Sequence, residues 1–163
     1  PFELALLSRW PLTQVRVDRS VHDALPVLEA TLCGLGASAE SDCIAIVGLH
    51  ALMPLIGRAE PRNAQLALAA ARVRAQSHDR VILLGDLNLT PWSPYFTDLL
   101  AAAALRDSGR GHGLTGTWRS RSPLFGLPLD HVLVGHDIDV RGRRIGPDIG
   151  SDHYPLIVDL ALR

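Results

Sequence analysis

Four short stretches of this sequence carry side chains able to work on a phosphate ester, and each lies at the edge of an apolar run. Gly85-Asp86-Leu87-Asn88 follows the apolar residues 81–84. In extended chain, residues i and i+2 point to the same side, so the Asp86 carboxylate and the Asn88 amide are able to share one pocket. Gly85 removes a side chain where a substrate would approach. Leu129-Asp130-His131-Val132-Leu133-Val134 opens another strand with a carboxylate suited to orienting an imidazole. His131 should point away from Asp130 in a regular strand and is read as structural. His153, in Gly150-Ser151-Asp152-His153-Tyr154-Pro155, is then the preferred partner of Asp130. Asp152 is a hard oxygen donor of the kind Mg2+ takes, and His153 is an acid or base near neutral pH. Both reach one site only from a loop or an irregular strand start, which Gly150 and Ser151 allow. His50 ends the run Ile46-Val47-Gly48-Leu49. Taken singly, each group has a plainer reading as a turn, a capping Asp or a structural His. Taken together, they are equipment for metal-assisted phosphoryl transfer.

The elements that must position these groups are legible in the hydrophobic pattern. Residues 2–7, apolar apart from Glu3, predict a strand that ends at the Pro11 turn, and residues 14–18 a short strand. Residues 25–32 and 43–49 predict a hairpin, with Gly34, Gly36 and Ser38 in its loop. Residues 61–76 are Ala-rich, with Leu66, Ala69, Ala70 and Val73 at helical spacing and Pro61 in the first turn. Residues 80–84 predict the strand that delivers Asp86. Residues 91–104 predict a second helix, starting near Ser93 or Pro94. Residues 115–118, 130–134, 138–144 and 154–160 read as further strands. Strands outnumber helices, and the helices follow strands, which predicts an α/β layer on a mixed sheet.

Composition narrows the class. A chain of 163 residues is one domain by default, and 47% hydrophobic with 20% charged residues excludes a disordered segment. All 16 basic residues are Arg against 17 acidic ones, so bulk charge carries no footprint of non-specific nucleic-acid binding. Arg119 and Arg121 flank the Trp118 region, where they read as solvated surface or as phosphate contacts. No apolar run is long enough to span a bilayer. Cys33 and Cys43 read equally as a disulfide across the hairpin, which needs an oxidising compartment, or as two reduced core thiols.

The motifs in this order and spacing resemble the endonuclease/exonuclease/phosphatase family, the deoxyribonuclease-I-like fold. The matching residues are His50 after a strand, Gly85-Asp86-Leu87-Asn88, Thr117-Trp118, Leu129-Asp130-His131-Val132-Leu133-Val134 and Ser151-Asp152-His153-Tyr154-Pro155. Leu6-Leu7-Ser8-Arg9-Trp10-Pro11 is similar to a strand and turn in the middle of that domain. The stretch after His50, with Pro54 and the helix from Pro61, is most similar to a bacterial membrane-anchored branch, which implies an extracytoplasmic location, with a cytoplasmic one as the alternative.

The resemblance implies attack of water on a metal-bound phosphate ester, by phosphodiesterase, phosphatase or nuclease chemistry. It implies that His153 is the general base, or the cation that stabilises phosphoryl oxygens, and that Asp130 orients it. Asp152 would contribute to the metal site, for Mg2+ or Mn2+. Asp86 would hold or deprotonate the water, Asn88 would bind a phosphate oxygen or that water, and His50 would contact the phosphate. Thr117 would place the strand that carries the substrate loop. The implied partner is a phosphate-ester substrate: nucleic acid, lipid or small molecule.

The family's fold is a four-layer α/β/β/α sandwich, and residues 1–163 resemble its C-terminal half, one mixed sheet with two main helices. The earlier half carries an Asn on its first strand and a metal-binding Glu on the next, and neither maps onto these residues; Glu3 lies on a different strand. An apolar sheet face left for a missing partner sheet predicts self-association. The unmatched Glu predicts weakened metal binding and weak or no activity for the 163-residue chain, in a parent that is an enzyme. The alternative is a non-catalytic scaffold or binding module that keeps the fold.

Overall fold

A computed structural model of the chain describes residues 4–35, 42–55, 59–77, 79–113, 115–119 and 126–163. The expectations placed on Glu3, Gly36, Ser38 and Arg121 fall outside these residues. In chain order the elements are β1 (Leu12–Asp18), β2 (Val27–Leu32), β3 (Ile44–Leu49), α1 (Ala59–Arg74), β4 (Val81–Asp86), α2 (Pro94–Ala103), β5 (Arg106–Asp107), β6 (Trp118–Arg119), β7 (Gly126–Leu127), β8 (Asp130–Val134), β9 (Ile138–Ile145) and β10 (Leu156–Leu162).

The β-branched and aliphatic run of β3 is buried at every position, as a central strand covered on both faces must be. It lies inside a six-stranded mixed sheet of order β1-β2-β3-β4-β8-β5. β2 and β3 form the expected antiparallel hairpin, from Leu32↔Ile44 to Val27↔Leu49. A disulfide joins Cys33 and Cys43 just beyond the Leu32↔Ile44 pair, with Cα atoms 4.1 Å apart. β3 and β4 are parallel, and α1 is the crossover between them. Alternation along the strands then sorts two cores. Val47, Leu49, Val81, Leu83 and Leu133 face Leu66, Ala69 and Val73 of α1 and Phe96 and Leu99 of α2. Ile44, Ile46, Ile82 and Val134 face the other way.

α1 buries the spaced positions Leu66, Ala69, Ala70 and Val73, together with Arg62 and Gln65. α2 begins at Pro94 after an extended Ser93, where a missing N–H costs nothing, and ends at Ala104 in the left-handed conformation.

Three expectations change. Leu4 to Leu7 form no strand. Leu4 lies over Gly48 and Leu6 packs on the second core, so the segment crosses the sheet face instead of pairing at its edge. The strand expected over residues 115–118 is confined to β6, which pairs with β7. The sheet face opposite the helices is also not open. The antiparallel β9–β10 hairpin supplies Ile138, Val140, Leu160 and Leu162 to that core, and Ile138 and Val134 are fully buried there. Among the described residues that face is thus partly covered, with Leu84, Val132, Leu160 and Leu162 still only partly buried, and the expected self-association has no support in it. Among the described residues no helix is long and apolar enough to cross a membrane.

Candidate active site

The functional side chains gather where β3, β4 and β8 end together. Asp86 and Asp130 are register partners across β4 and β8, so their carboxylates lie side by side on one sheet face. His131 points to the opposite face. It is buried, its Nε2–H donates to the Leu89 carbonyl at 2.8 Å, its ring lies 4.6 Å from that of Phe96, and burial lowers its pKa. The structural reading of His131 matches this position. Asp130 instead accepts from His153 Nδ1–H at 2.7 Å.

Backbone geometry fixes the neighbours. The Ala51 N–H donates to the Asp86 carbonyl at 2.8 Å, which seats His50 beside Asp86, with His50 Nε2 3.7 Å from Asp86 Oδ2. Gly85 adopts a φ of 139°, and a Cβ there would lie 1.9 Å from the Leu49 carbonyl oxygen. Its glycine is thus required by the approach of β3, not by a substrate. Asn88 has a φ of 47°, a left-handed value that Asn tolerates better than most residues. Its amide group donates to the Ala51 carbonyl at 2.8 Å, and its backbone N–H donates to Asp86 Oδ1 at 2.8 Å.

Thr117 joins the two halves of the His–Asp pair. Its buried hydroxyl accepts from the backbone N–H groups of Leu129 and Asp130, both at 3.1 Å. Its carbonyl accepts from Tyr154 N–H at 2.7 Å, and Trp118 forms a β-bridge with His153. The Gly150–Ser151 turn delivers His153 to this bridge, with the His153 N–H donating to Ser151 Oγ at 3.1 Å.

His50, Asp86, Asn88, Asp130, Asp152 and His153 all line one cleft of about 770 Å³. Ligand atoms of Asp86, Asp130 and His153 lie within 4.8 Å of one another, a donor set able to hold a cation. Burial, reinforced by the charge of Asp130, raises the pKa of Asp86 against the opposing hydrogen bond from Asn88. Two carboxylates crowded in this way fit a divalent ion, whose charge would relieve both. Asp152 stands exposed on the rim of the cleft, outside this cluster of three. Sequence reasoning missed Arg62, a buried cation on the cleft wall. A charge at i−4 from Leu66, on the buried stripe of α1, was the available signal.

The mixed sheet thus carries helices on one face and an acid–imidazole cluster at its strand ends. The family model for the endonuclease/exonuclease/phosphatase family matches residues 2–153, and the chain belongs to that family. Its members are hydrolytic phosphoesterases and nucleases. Among solved structures, the chain is similar to an endonuclease/exonuclease/phosphatase from Beutenbergia cavernae, with a TM-score of 0.73 and 21% identity over 95% of this chain and 46% of that one. It is similar to a mannosyl-6-phosphatase from Bacteroides thetaiotaomicron, with a TM-score of 0.67 and 17% identity over 93% of this chain and 67% of the other. A beta toxin from Staphylococcus aureus with bound magnesium ions gives a TM-score of 0.63 and 18% identity over 91% of this chain and 64% of the toxin. The chain thus spans less than half the length of the first of these structures. No curated protein matches it.

Proposed function

We propose that this chain carries the phosphate-binding and proton-handling residues of a Mg2+-dependent phosphoesterase. The observation that carries the reading is the 2.7 Å bond between His153 Nδ1 and Asp130, made beside the raised-pKa carboxylate of Asp86. Asp130 holds the ring with its proton on Nδ1, which leaves Nε2, 3.9 Å from Asp86 Oδ2, to exchange a proton or meet a phosphoryl oxygen. Asp86 holds the attacking water and accepts its proton, a role suited to a carboxylate whose burial favours the protonated form. His50, on the other side of Asp86, contacts the phosphate. The Asn88 side chain, tied to the Ala51 carbonyl, keeps the His50 loop against this carboxylate while facing the cleft. Asp86, with Asp152 on the rim, would hold a Mg2+ ion, which would supply Lewis acidity at the phosphoryl oxygens.

Since the chain spans 46% to 67% of the solved structures described above, full turnover is proposed for the complete domain, with weak or no turnover from these 163 residues. An extracytoplasmic, membrane-anchored setting is part of the proposal. The Cys33–Cys43 disulfide supports it, because such bonds persist in oxidising compartments. The test is a panel of nucleic-acid, lipid and sugar phosphate esters with Mg2+, with His153→Ala as control. Turnover that needs Mg2+ and disappears in H153A supports the reading. Turnover equal in both proteins refutes it, and no turnover even from the full-length parent would favour a binding module.

A further inference from the structure

The cleft that holds Asp86 and His153 also holds a cation that no acid among the described residues neutralises. Arg62 lies on the sheet-facing side of α1 and is only 3% exposed. Its Nε–H donates to Asn63 Oδ1 at 2.8 Å, and its guanidinium carbon stands 4.8 Å from the centre of the Tyr95 ring. Among the described residues it has no carboxylate within ion-pair distance. Two other shielded arginines are paired, Arg72 with Asp18 and Glu29 and Arg143 with Asp107 at 3.3 Å, while Arg106 donates to the Gly135 and Ile138 carbonyls. An unpaired buried charge is costly, and burial pulls the Arg62 pKa down while the neighbouring Tyr95 opposes the shift. Arginine keeps its charge regardless, so the cost persists until a counter-charge arrives.

The geometry is that of a site prepared for this arrival. The Nε bond to Asn63 and the Tyr95 ring together fix the plane of the guanidinium. Gln65, one turn further along α1, clamps the adjoining wall by accepting from Leu52 N–H at 2.9 Å and donating to the Leu25 carbonyl at 2.8 Å. The terminal nitrogens of Arg62 form a planar fork suited to two oxygens of one oxyanion. Leu52, Met53, Leu89 and Leu129 also line the cleft and supply apolar wall for the body of a ligand.

We propose that Arg62 anchors a second anion subsite, and that the substrate is a bisphosphorylated ester whose second, non-reacting phosphate sits on Arg62. This rests on the phosphoesterase reading for the identity of the first phosphate. The subsite itself is testable without it.

The experiment follows the Nε–H resonance of Arg62 in the 163-residue chain, assigned by its loss in Arg62→Lys or, should that variant not fold, by through-bond correlation in the unaltered protein. In metal-free buffer, titration with inorganic phosphate should move this resonance saturably, while sodium chloride and acetate at equal ionic strength should not. A resonance that stays still, or that moves linearly with every salt, overturns the subsite. With Mg2+ present, a bisphosphorylated sugar should bind about tenfold more tightly than its monophosphate, through simultaneous occupation of both ends. Equal affinities overturn the assignment to substrate. Loss of hydrolysis in the ester panel with saturable phosphate binding at Arg62 would instead refute the phosphoesterase reading alone.

Discussion

His153 and Asp130 meet through Nδ1 and Oδ2 at 2.7 Å although they lie 23 residues apart in the chain. The bond selects the proton position on the ring, because an Nδ1–H facing a carboxylate is the arrangement that leaves Nε2 available. Asp130→Asn would keep the shape of the pair and offer an amide in place of a charged acceptor. It is expected to lower kcat by about 100-fold or more, with KM nearly unchanged, in steady-state assays of the complete domain.

Thr117 is expected to matter through its hydroxyl alone. Thr117→Val keeps the volume but strands the N–H groups of Leu129 and Asp130, at about 1–3 kcal/mol for each buried group left unpaired. Urea unfolding should show that loss, and Thr117→Ser should recover most of it. Recovery by Ala in place of Ser would show that the hydroxyl is not what holds the strand.

Gly85→Ala should be among the most damaging single-methyl changes in the chain. Its Cβ would enter the van der Waals radius of the Leu49 carbonyl oxygen at 1.9 Å, from a φ of 139° that other residues rarely adopt. We expect a loss of about 3 kcal/mol or more in chemical denaturation, and displacement of Asp86 even where the fold survives.

Asp86 gives stability a specific pH dependence. Burial, with the charge of Asp130 adding to it, raises its pKa in the folded chain, so the folded state holds this proton more tightly than the unfolded state. That contribution is complete below the unfolded carboxylate value and is lost as pH rises through the higher folded value. Asp86→Asn abolishes the loss. In chelator-treated protein the variant should melt at higher temperature than the parent near pH 7, and the difference should vanish below about pH 3.5. Added Mg2+ should narrow the gap at neutral pH by stabilising only the parent.

Reduction of the Cys33–Cys43 bond reopens a hairpin loop with a sequence separation of 10. The expected cost is about 2–3 kcal/mol, read as a lowered denaturation midpoint in dithiothreitol. Cys33→Ser with Cys43→Ser should match the reduced parent. The hydrolytic site should be untouched, since β2 and β3 carry the bridge at the end away from His50.

Much of this arrangement was readable in the residues because period and turn chemistry are local. The burial of Leu66, Ala69, Ala70 and Val73 followed from helical spacing. The choice of His153 over His131 followed from the opposite faces of neighbouring strand residues. What escaped depends on contacts distant in sequence. The apolar residues 4–7 have a strand-like composition, yet Leu4 rests across Gly48 on the face of the sheet. The closing of the second core by β9 and β10 depends on how a hairpin docks, which alternation alone does not specify. Gly85 suggested room for a substrate, whereas the atom that demands it is a backbone oxygen of β3.

The register that sets Asp86 opposite Asp130 also limits how such a chain can change over evolutionary time. Side chains on a strand alternate between faces, so a single inserted or deleted residue within β4 or β8 would turn one carboxylate toward the helices. Between these strands the chain runs through α2 and the short strands β5, β6 and β7, whose connecting segments tolerate length variation far better. New specificity can therefore be drafted in the connecting segments by gain or loss of whole stretches, while the paired strands admit only substitution.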